Sequence, residues 1–326
     1  MNWEQLTLND VELAPYLPSL AAPLFIHRVR GLISQQEETW PLLRDGLQRL
    51  SEVRLKEFSI NGSRVLAQNN PQRIVSTSAQ VDTESIKNRP CFLCLDNLPR
   101  EEKGINFADD FVVLCNPFPV LRDHLVISAR EHRPQVIDGN FGSFLDLARD
   151  LGRGWMTLYN GPKCGASAPD HLHFQACSIE LLPIISEIET WERRLVSKNR
   201  RIEVFTLRNY RINQLIARGS SRDELISWFE STLSCLARFL EVTDEPMINL
   251  IAYSDQEKWT IILFPRSKHR PSCYYAEGEA KLTLSPAAID LAGVVVVPQE
   301  KDFNRISPED LERIYAEVTL SIDWEG

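Results

Sequence analysis

Five residues carry the strongest chemical signal in the chain: His171-Leu172-His173-Phe174-Gln175. On a β-strand, alternate side chains share a face at a spacing of about 6.6–7 Å. His171, His173 and Gln175 would then form one polar row, with Leu172 and Phe174 turned to the core. A neutral imidazole can attack phosphorus or bind a metal at physiological pH. A glutamine amide can donate to an oxygen on which charge develops. A half-exposed edge strand that holds two histidines by chance is the weaker alternative. The segment in front of the row is Asn160-Gly161-Pro162-Lys163-Cys164-Gly165-Ala166-Ser167. Its glycines permit close backbone approach to a ligand, and successive N–H groups can form an anion nest. Ser167 adds a hydroxyl donor and Lys163 a cation. The order is not that of a P-loop. Next to paired histidines, the loop reads as a phosphate cradle offering Asn160, Lys163, Gly165 and Ser167.

Cys91-Phe92-Leu93-Cys94 is the second signal. Two cysteines at this spacing can share one tetrahedral ion, although the pair alone supplies half a ligand set. A redox pair and two buried apolar thiols are the rival readings. Redox pairs of this type sit near a βαβ unit, and the sequence suggests none.

These residues need strands to hold them. Phe111–Cys115, His124–Ser128, Trp155–Tyr159 and His171–Cys177 read as strands, with a helix over Phe144–Leu151. That alternation predicts an α+β fold with an antiparallel sheet and flanking helices. Upstream, Trp40, Leu43, Leu47 and Leu50 fit one face of a single helix from Leu32 to Leu50. Asn61-Gly62 predicts a hairpin. Leu182–Leu195 reads as a helix. In the last third, Ser221 and Glu224 form a capping-box pattern before a helix. Strands are expected at Ile248–Tyr253, Trp259–Phe264 and Gly293–Pro298, and Ser307-Pro308 opens a final helix. Leu125-Val126-Ile127 leads into His132-Arg133-Pro134, and Ile262-Leu263-Phe264 into His269-Arg270-Pro271, a faint echo of two related halves. Two domains are expected, 1–205 with the chemistry and 206–326 without it.

The chain has 36 basic and 45 acidic residues, a net charge of −9, with 43% hydrophobic and 25% charged residues. Those values exclude a disordered chain. The acidic balance argues against a non-specific nucleic-acid binder, so a polyanionic ligand must meet a local basic cluster. No apolar run approaches a membrane span of about 20 residues, and the first thirty residues lack the order of a signal peptide. Seven cysteines in 326 residues do not suggest a disulfide framework. A reduced, cytoplasmic protein is expected.

The His-x-His-x-Gln strand behind a Gly/Ser loop resembles the histidine-triad superfamily, in its branch of nucleotidyltransferases and phosphorylases. The strand is most similar to that of GDP-hexose phosphorylases. Galactose-1-phosphate uridylyltransferases and diadenosine tetraphosphate phosphorylases are similar too. The resemblance covers residues 68–177 well and the last third faintly. It implies a histidine-triad-like fold in two related halves, the second degenerate. It implies that His173 attacks the α-phosphorus of a nucleotide and that Gln175 donates to a phosphate oxygen. The expected activity is phosphorolysis of a nucleoside diphosphate sugar. Dinucleoside polyphosphate phosphorolysis and hexose-1-phosphate uridylyl transfer are the alternatives within this chemistry, and a non-catalytic nucleotide-binding zinc protein is the alternative outside it. The resemblance also supplies a structural zinc set, Cys91, Cys94, His132 and His171, with His124 competing for the third place. It puts Asn116 near a ribose and Arg73 near the phosphates; Arg122 is a further phosphate candidate. In the uridylyltransferases the serine lies three residues before the first histidine, whereas Ser167 lies four before, so Asp170 looks inserted. Arg266 and His269 are expected to be solvated strand-end residues, although an enzyme in which the second half closes over the site could use them. A nucleotide and a phosphate or sugar-phosphate acceptor are the implied partners, and a homodimer is expected by analogy alone.

Overall fold

The computed structural model describes residues 2–18, 23–79, 82–255 and 257–324. Its strands are β1 (Arg54–Ile60), β2 (Ser63–Asn69), β3 (Gly104–Phe107), β4 (Phe111–Cys115), β5 (Leu125–Ala129), β6 (Trp155–Asn160) and β7 (His173–Ser178). They continue as β8 (Arg193–Lys198), β9 (Ile202–Leu207), β10 (Leu215–Gly219), β11 (Ile248–Ser254), β12 (Trp259–Pro265) and β13 (Val294–Val297). Ten of them form one antiparallel sheet in the order β3-β4-β5-β7-β6-β11-β12-β10-β9-β8. Counted from each edge, the order is the same: three strands in sequence, then the fifth, then the fourth. One helix interrupts each set at the same point, Phe141–Leu151 between β5 and β6 and Arg222–Phe239 between β10 and β11. The two sets meet at β6 and β11, which pair from Asn160↔Asn249 to Thr157↔Ala252.

This repeat places the junction of the halves between Ser178 and Arg193. The expected boundary at residue 205 falls inside β9. The His-Arg-Pro echo does not mark the repeat, because His132 follows β5 whereas His269 follows β12, the counterpart of β7.

The pleat divides the side chains of the sheet between two cores. Leu172, Phe174 and Ala176 join the helices Phe141–Leu151 and Arg222–Phe239 on one face. Phe174 stacks on Phe111 and meets Phe144 edge-on, each at 5.4 Å between ring centroids. Met156, Leu158, Ile251 and Ile262 point the other way, into a second core. That core is closed by a small sheet, β1-β2-β13, and by the helix Pro308–Val318. The Val294–Val297 run is fully apolar because it is covered on both sides, and it pairs parallel with β2.

Local signals behave as their chemistry dictates, with instructive exceptions. Asn61 and Gly62 both have positive φ, 51° and 82°, and close the β1–β2 hairpin. The single helix expected from Leu32 to Leu50 is two, Phe25–Thr39 and Pro41–Ser51. Trp40 is extended, as the residue before a proline prefers. The expected Leu182–Leu195 helix ends at Thr190, and β8 begins at Arg193. Ser221 is an N-cap residue without a side-chain cap bond, whereas Ser307 accepts from Asp310 N at 3.2 Å. No helix among the described residues is long and apolar enough to cross a membrane.

Candidate active site

His173 opens β7 at the place where β6 and β7 part. Those two strands pair only as far as Leu158↔Gln175, and β6 turns its end to β11. The buried side chain of Gln135 fills the gap. Its Oε1 accepts from His173 N at 2.8 Å, and its Nε2 donates to His173 O at 3.0 Å and to Asn160 O at 2.9 Å. The His173 ring is thereby held at one height in the sheet. Its Nδ1 lies 2.9 Å from the carbonyl oxygen of His171. A carbonyl only accepts, so the proton sits on Nδ1 and Nε2 keeps its lone pair. Burial pushes the His173 pKa down to about 4, so the ring is neutral at physiological pH.

Gln175 follows on the same face, and with His173 it lines a cleft of about 960 Å³. That is at the upper end of the roughly 300–1,000 Å³ typical of ligand pockets. His124 lies beside Gln175 in the neighbouring strand end. Its Nδ1 accepts from Val120 N at 3.2 Å, which puts the proton on Nε2, 2.7 Å from Gln175 Oε1. The amide is therefore fixed with its oxygen used, and the N–H₂ end is what Gln175 can offer a phosphate. His124 is buried and its pKa is pushed down to about 4, first by desolvation and then by the nearby Arg73 guanidinium.

The other expected ligand-binding residues separate into two groups. Asn116 and Arg73 line the large cleft, and Arg73 Nη1 donates to Phe118 O at 3.0 Å. Asn116 Oδ1 accepts from Phe118 N at 2.9 Å, forming the turn after β4. Ser167 lines the same cleft, and Gly165 lines a smaller chamber beside it. Gly165 has φ +108°, and a β-carbon there would come within 2.6 Å of Ala287 Cβ. The glycine is needed for the loop to lie against the second half. Asn160 is occupied: its Oδ1 accepts from Asn249 Nδ2 and Ala288 N at 2.8 and 3.0 Å. Through that oxygen it ties the halves together, and it also lines the smaller chamber. Lys163 lines neither space. The buried Cys164 thiol anchors the loop to Ile248 O, so the preceding side chain faces solvent and pairs with Asp244 at 3.1 Å.

Cys91, Cys94, His132 and His171 converge, with one donor atom from each lying within 4.8 Å of the others. Cys91 Sγ is 3.3 Å and Cys94 Sγ 3.6 Å from His171 Nδ1, and Cys94 Sγ is 3.2 Å from His132 Nδ1. These are edge lengths of a tetrahedron around an ion with metal–sulfur and metal–nitrogen distances of about 2.3 and 2.0–2.1 Å. His171 Nε2 donates to Ala129 O at 2.8 Å, which leaves Nδ1 unprotonated toward the sulfurs. His124 is excluded from this set by its bond to Gln175. Asp170, which the sequence marks only as an insertion, binds Arg89 at 2.9 Å and lies 3.8 Å from His132 Nε2.

The second half reaches the cavity beside Gln175. Arg266 is 1% exposed, not solvated. It donates to Val318 O, Pro286 O, Lys268 O and His269 O at 2.9–3.1 Å. His269 lines the smaller chamber with Gln175. Sequence reasoning missed Gln135 entirely, since no motif marks it, and weighed His124 only as a metal ligand. Its position one residue before an apolar strand that neighbours the histidine strand was the available signal.

This duplicated sheet has the histidine-triad-like fold of an Ap4A phosphorylase. Residues 32–178 match the family described as a domain of unknown function, DUF4922. Residues 186–323 match that described as GDPGP1-like, C-terminal domain. The two matches adjoin where the strand repeat changes over. The chain is similar to GDP-L-galactose phosphorylase 2 of Arabidopsis thaliana, 28% identical over 223 residues, which are 64% of this chain and 48% of the relative. It thus spans about half the length of that relative. In fold it is similar to yeast Ap4A phosphorylase Apa2, with a TM-score of 0.62 at 13% identity, covering 88% of this chain and 97% of that one. The same enzyme in complex with Ap4A gives 0.61 at 14% identity, again covering 88% of this chain and 97% of that one.

Proposed function

We propose that the chain transfers a nucleoside monophosphate through a covalent bond to His173, and that its reaction is phosphorolysis of a nucleoside diphosphate sugar of the GDP-hexose type. The observation that carries this reading is the His173 ring: neutral, with Nδ1 tied to a carbonyl and the ring beside Gln175 in a cleft large enough for a nucleotide. His173 Nε2 attacks the α-phosphorus, the bond from that phosphorus to the bridging oxygen breaks, and hexose 1-phosphate leaves. Gln175 donates to a non-bridging oxygen as charge builds there. An orthophosphate oxygen then attacks the same phosphorus, the phosphorus–nitrogen bond breaks, and nucleoside diphosphate is released. Two displacements give net retention at phosphorus. The likeness to a GDP-L-galactose phosphorylase favours a guanine nucleotide and orthophosphate over the other bases and acceptors.

Zinc belongs to the same reading. Two thiolates and two imidazole nitrogens form a soft, closed donor set suited to a structural zinc. It would brace the strand two residues before His173 and take no part in the displacement. A reducing compartment, the cytoplasm, fits the need for Cys91 and Cys94 as thiolates. Elemental analysis of the purified protein should find one zinc per chain, lost in Cys94→Ser; a metal-free parent rejects the assignment.

The direct test is incubation with α-labelled GDP-mannose, GTP, UDP-glucose and ATP. Acid-labile, base-stable label should appear on the parent protein, strongest with the guanine nucleotides, and be absent in His173→Ala. A parent that takes no label from any of them, yet binds nucleotide as well as His173→Ala does, would mean a binding protein and not an enzyme.

A further inference from the structure

A second cavity lies behind Gln175. It is small, about 70 Å³, and on the scale where one water needs about 10–15 Å³ it holds only a few waters. That is room for a tetrahedral oxyanion and not for a nucleoside. Gln175, Arg73, Ser76 and Ser167 line both this chamber and the large cleft, so the two spaces adjoin around the amide expected to hold the transferred phosphoryl group. His124 lines it from the first half, and His269, Arg270 and Ser285 line it from the second.

Arg270 is built into this wall. Its Nη2 donates to Thr77 O and Ala79 O at 2.9 and 2.8 Å, and its Nε donates to Ser285 Oγ at 3.2 Å. The guanidinium also packs over the Tyr274 ring at 4.3 Å. These bonds use Nε and Nη2 and fix the planar guanidinium in the chamber wall. Asp290 is the one carboxylate in the lining, and its oxygens are taken by Ala287 N and Val296 N, both at 2.9 Å. Two guanidiniums against one carboxylate leave the chamber cationic, while the chain as a whole carries −9. Burial and the Arg270 and Arg266 charges push the His269 pKa down to about 4, so this ring is a neutral hydrogen-bonding group beside the cations.

We propose that this chamber is the acceptor-phosphate subsite, with Arg270 and His269 of the second half and Arg73 of the first as its phosphate ligands. The inference rests on the phosphorolysis reading for its role in turnover, though not for its anion chemistry. In a double displacement through His173, the phosphate of the departing hexose 1-phosphate and the incoming orthophosphate must occupy one place in turn, beside the attacked phosphorus. The chamber takes the phosphate group, and the sugar of the departing product extends into the large cleft. The second half, which has no paired histidines, therefore supplies half of the site.

The test begins with calorimetric titration of the nucleotide-free protein with inorganic phosphate. The parent should bind it. Arg270→Gln should bind at least about tenfold more weakly, the effect of losing one charge-assisted contact. Since Arg270→Gln also frees the 77–79 backbone, Ser285→Asp is the second variant. It keeps a partner for Arg270 and brings a negative charge into the chamber, so phosphate binding should fall while the thermal midpoint holds. Lys163→Gln, on the outer surface, should bind as the parent does. In turnover, both chamber variants should raise the phosphate KM at least about tenfold, while α-label still accumulates on the protein to the parent's endpoint. Absence of phosphate binding in the parent at millimolar concentrations, or equal binding by parent and both variants, overturns the subsite. Phosphate binding lost in both variants without any label on the parent would uphold the subsite and reject the proposed reaction.

Discussion

The two halves of this molecule share a strand order and differ in what their equivalent strands carry. β7 presents His173 and Gln175 to a cleft and keeps Phe174 in the core. β12, which takes its place in the other half, is apolar on both faces: Ile261, Ile262, Leu263 and Phe264 are all fully buried. In the first half the pleat separates a chemical face from a packed one. In the second, both faces are packed, and its polar groups are gathered just beyond the strand end, at Arg266, His269 and Arg270. One copy of the repeat turns polar side chains to a cleft, and the other is packed on both faces and lines the cavity beside it.

That comparison can be broken most sharply at Gln175. Gln175→Ala removes the donor proposed for the phosphoryl oxygen and should lower kcat by about 10²–10³-fold, with the fold intact. Measuring kcat and the thermal midpoint together checks it; an unchanged kcat would deny β7 its chemical face. In the second half, Leu263→Ala should do the reverse. A fully buried leucine truncated to alanine costs about 2–5 kcal/mol, seen in denaturant unfolding, while kcat per folded molecule stays within about twofold. A large loss of kcat with full stability would mean that β12 is more than scaffold.

A smaller effect comes from acid. His124 in the first half and His269 in the second both have native pKa values near 4 against an ordinary value near 6.5. Each is neutral when folded and protonates more readily when unfolded. Their contribution to stability is complete above about pH 6.5 and is lost as pH falls toward 4. The thermal midpoint should therefore drop across that window, and a His269→Phe variant should show a shallower drop. Equal slopes in the two proteins would assign the acid sensitivity elsewhere.

What could be read along the chain was what local geometry decides. A strand's two-residue period puts His173 and Gln175 on one side whatever surrounds them, whereas His171 lies before β7 and its ring meets the cysteines; Cys91 and Cys94 lie within reach of one ion because two residues separate them. Asn61-Gly62 closes its hairpin for the same local reason, the low cost of positive φ at those residues. Packing over long separations settled the rest. His132 reaches Cys94 across 38 positions, and His124 serves Gln175 because β5 and β7 are neighbours. Lys163 faces water because Cys164 beside it is pinned inward. Arg266 looks like a solvated strand end in sequence, yet it is buried because carbonyl groups from three separate segments surround its guanidinium. A side chain's direction along a strand is set by the backbone at that residue. Which groups it meets depends on segments far away in the chain, and only their joint burial brings Arg270 of the second half and His124 of the first to one chamber.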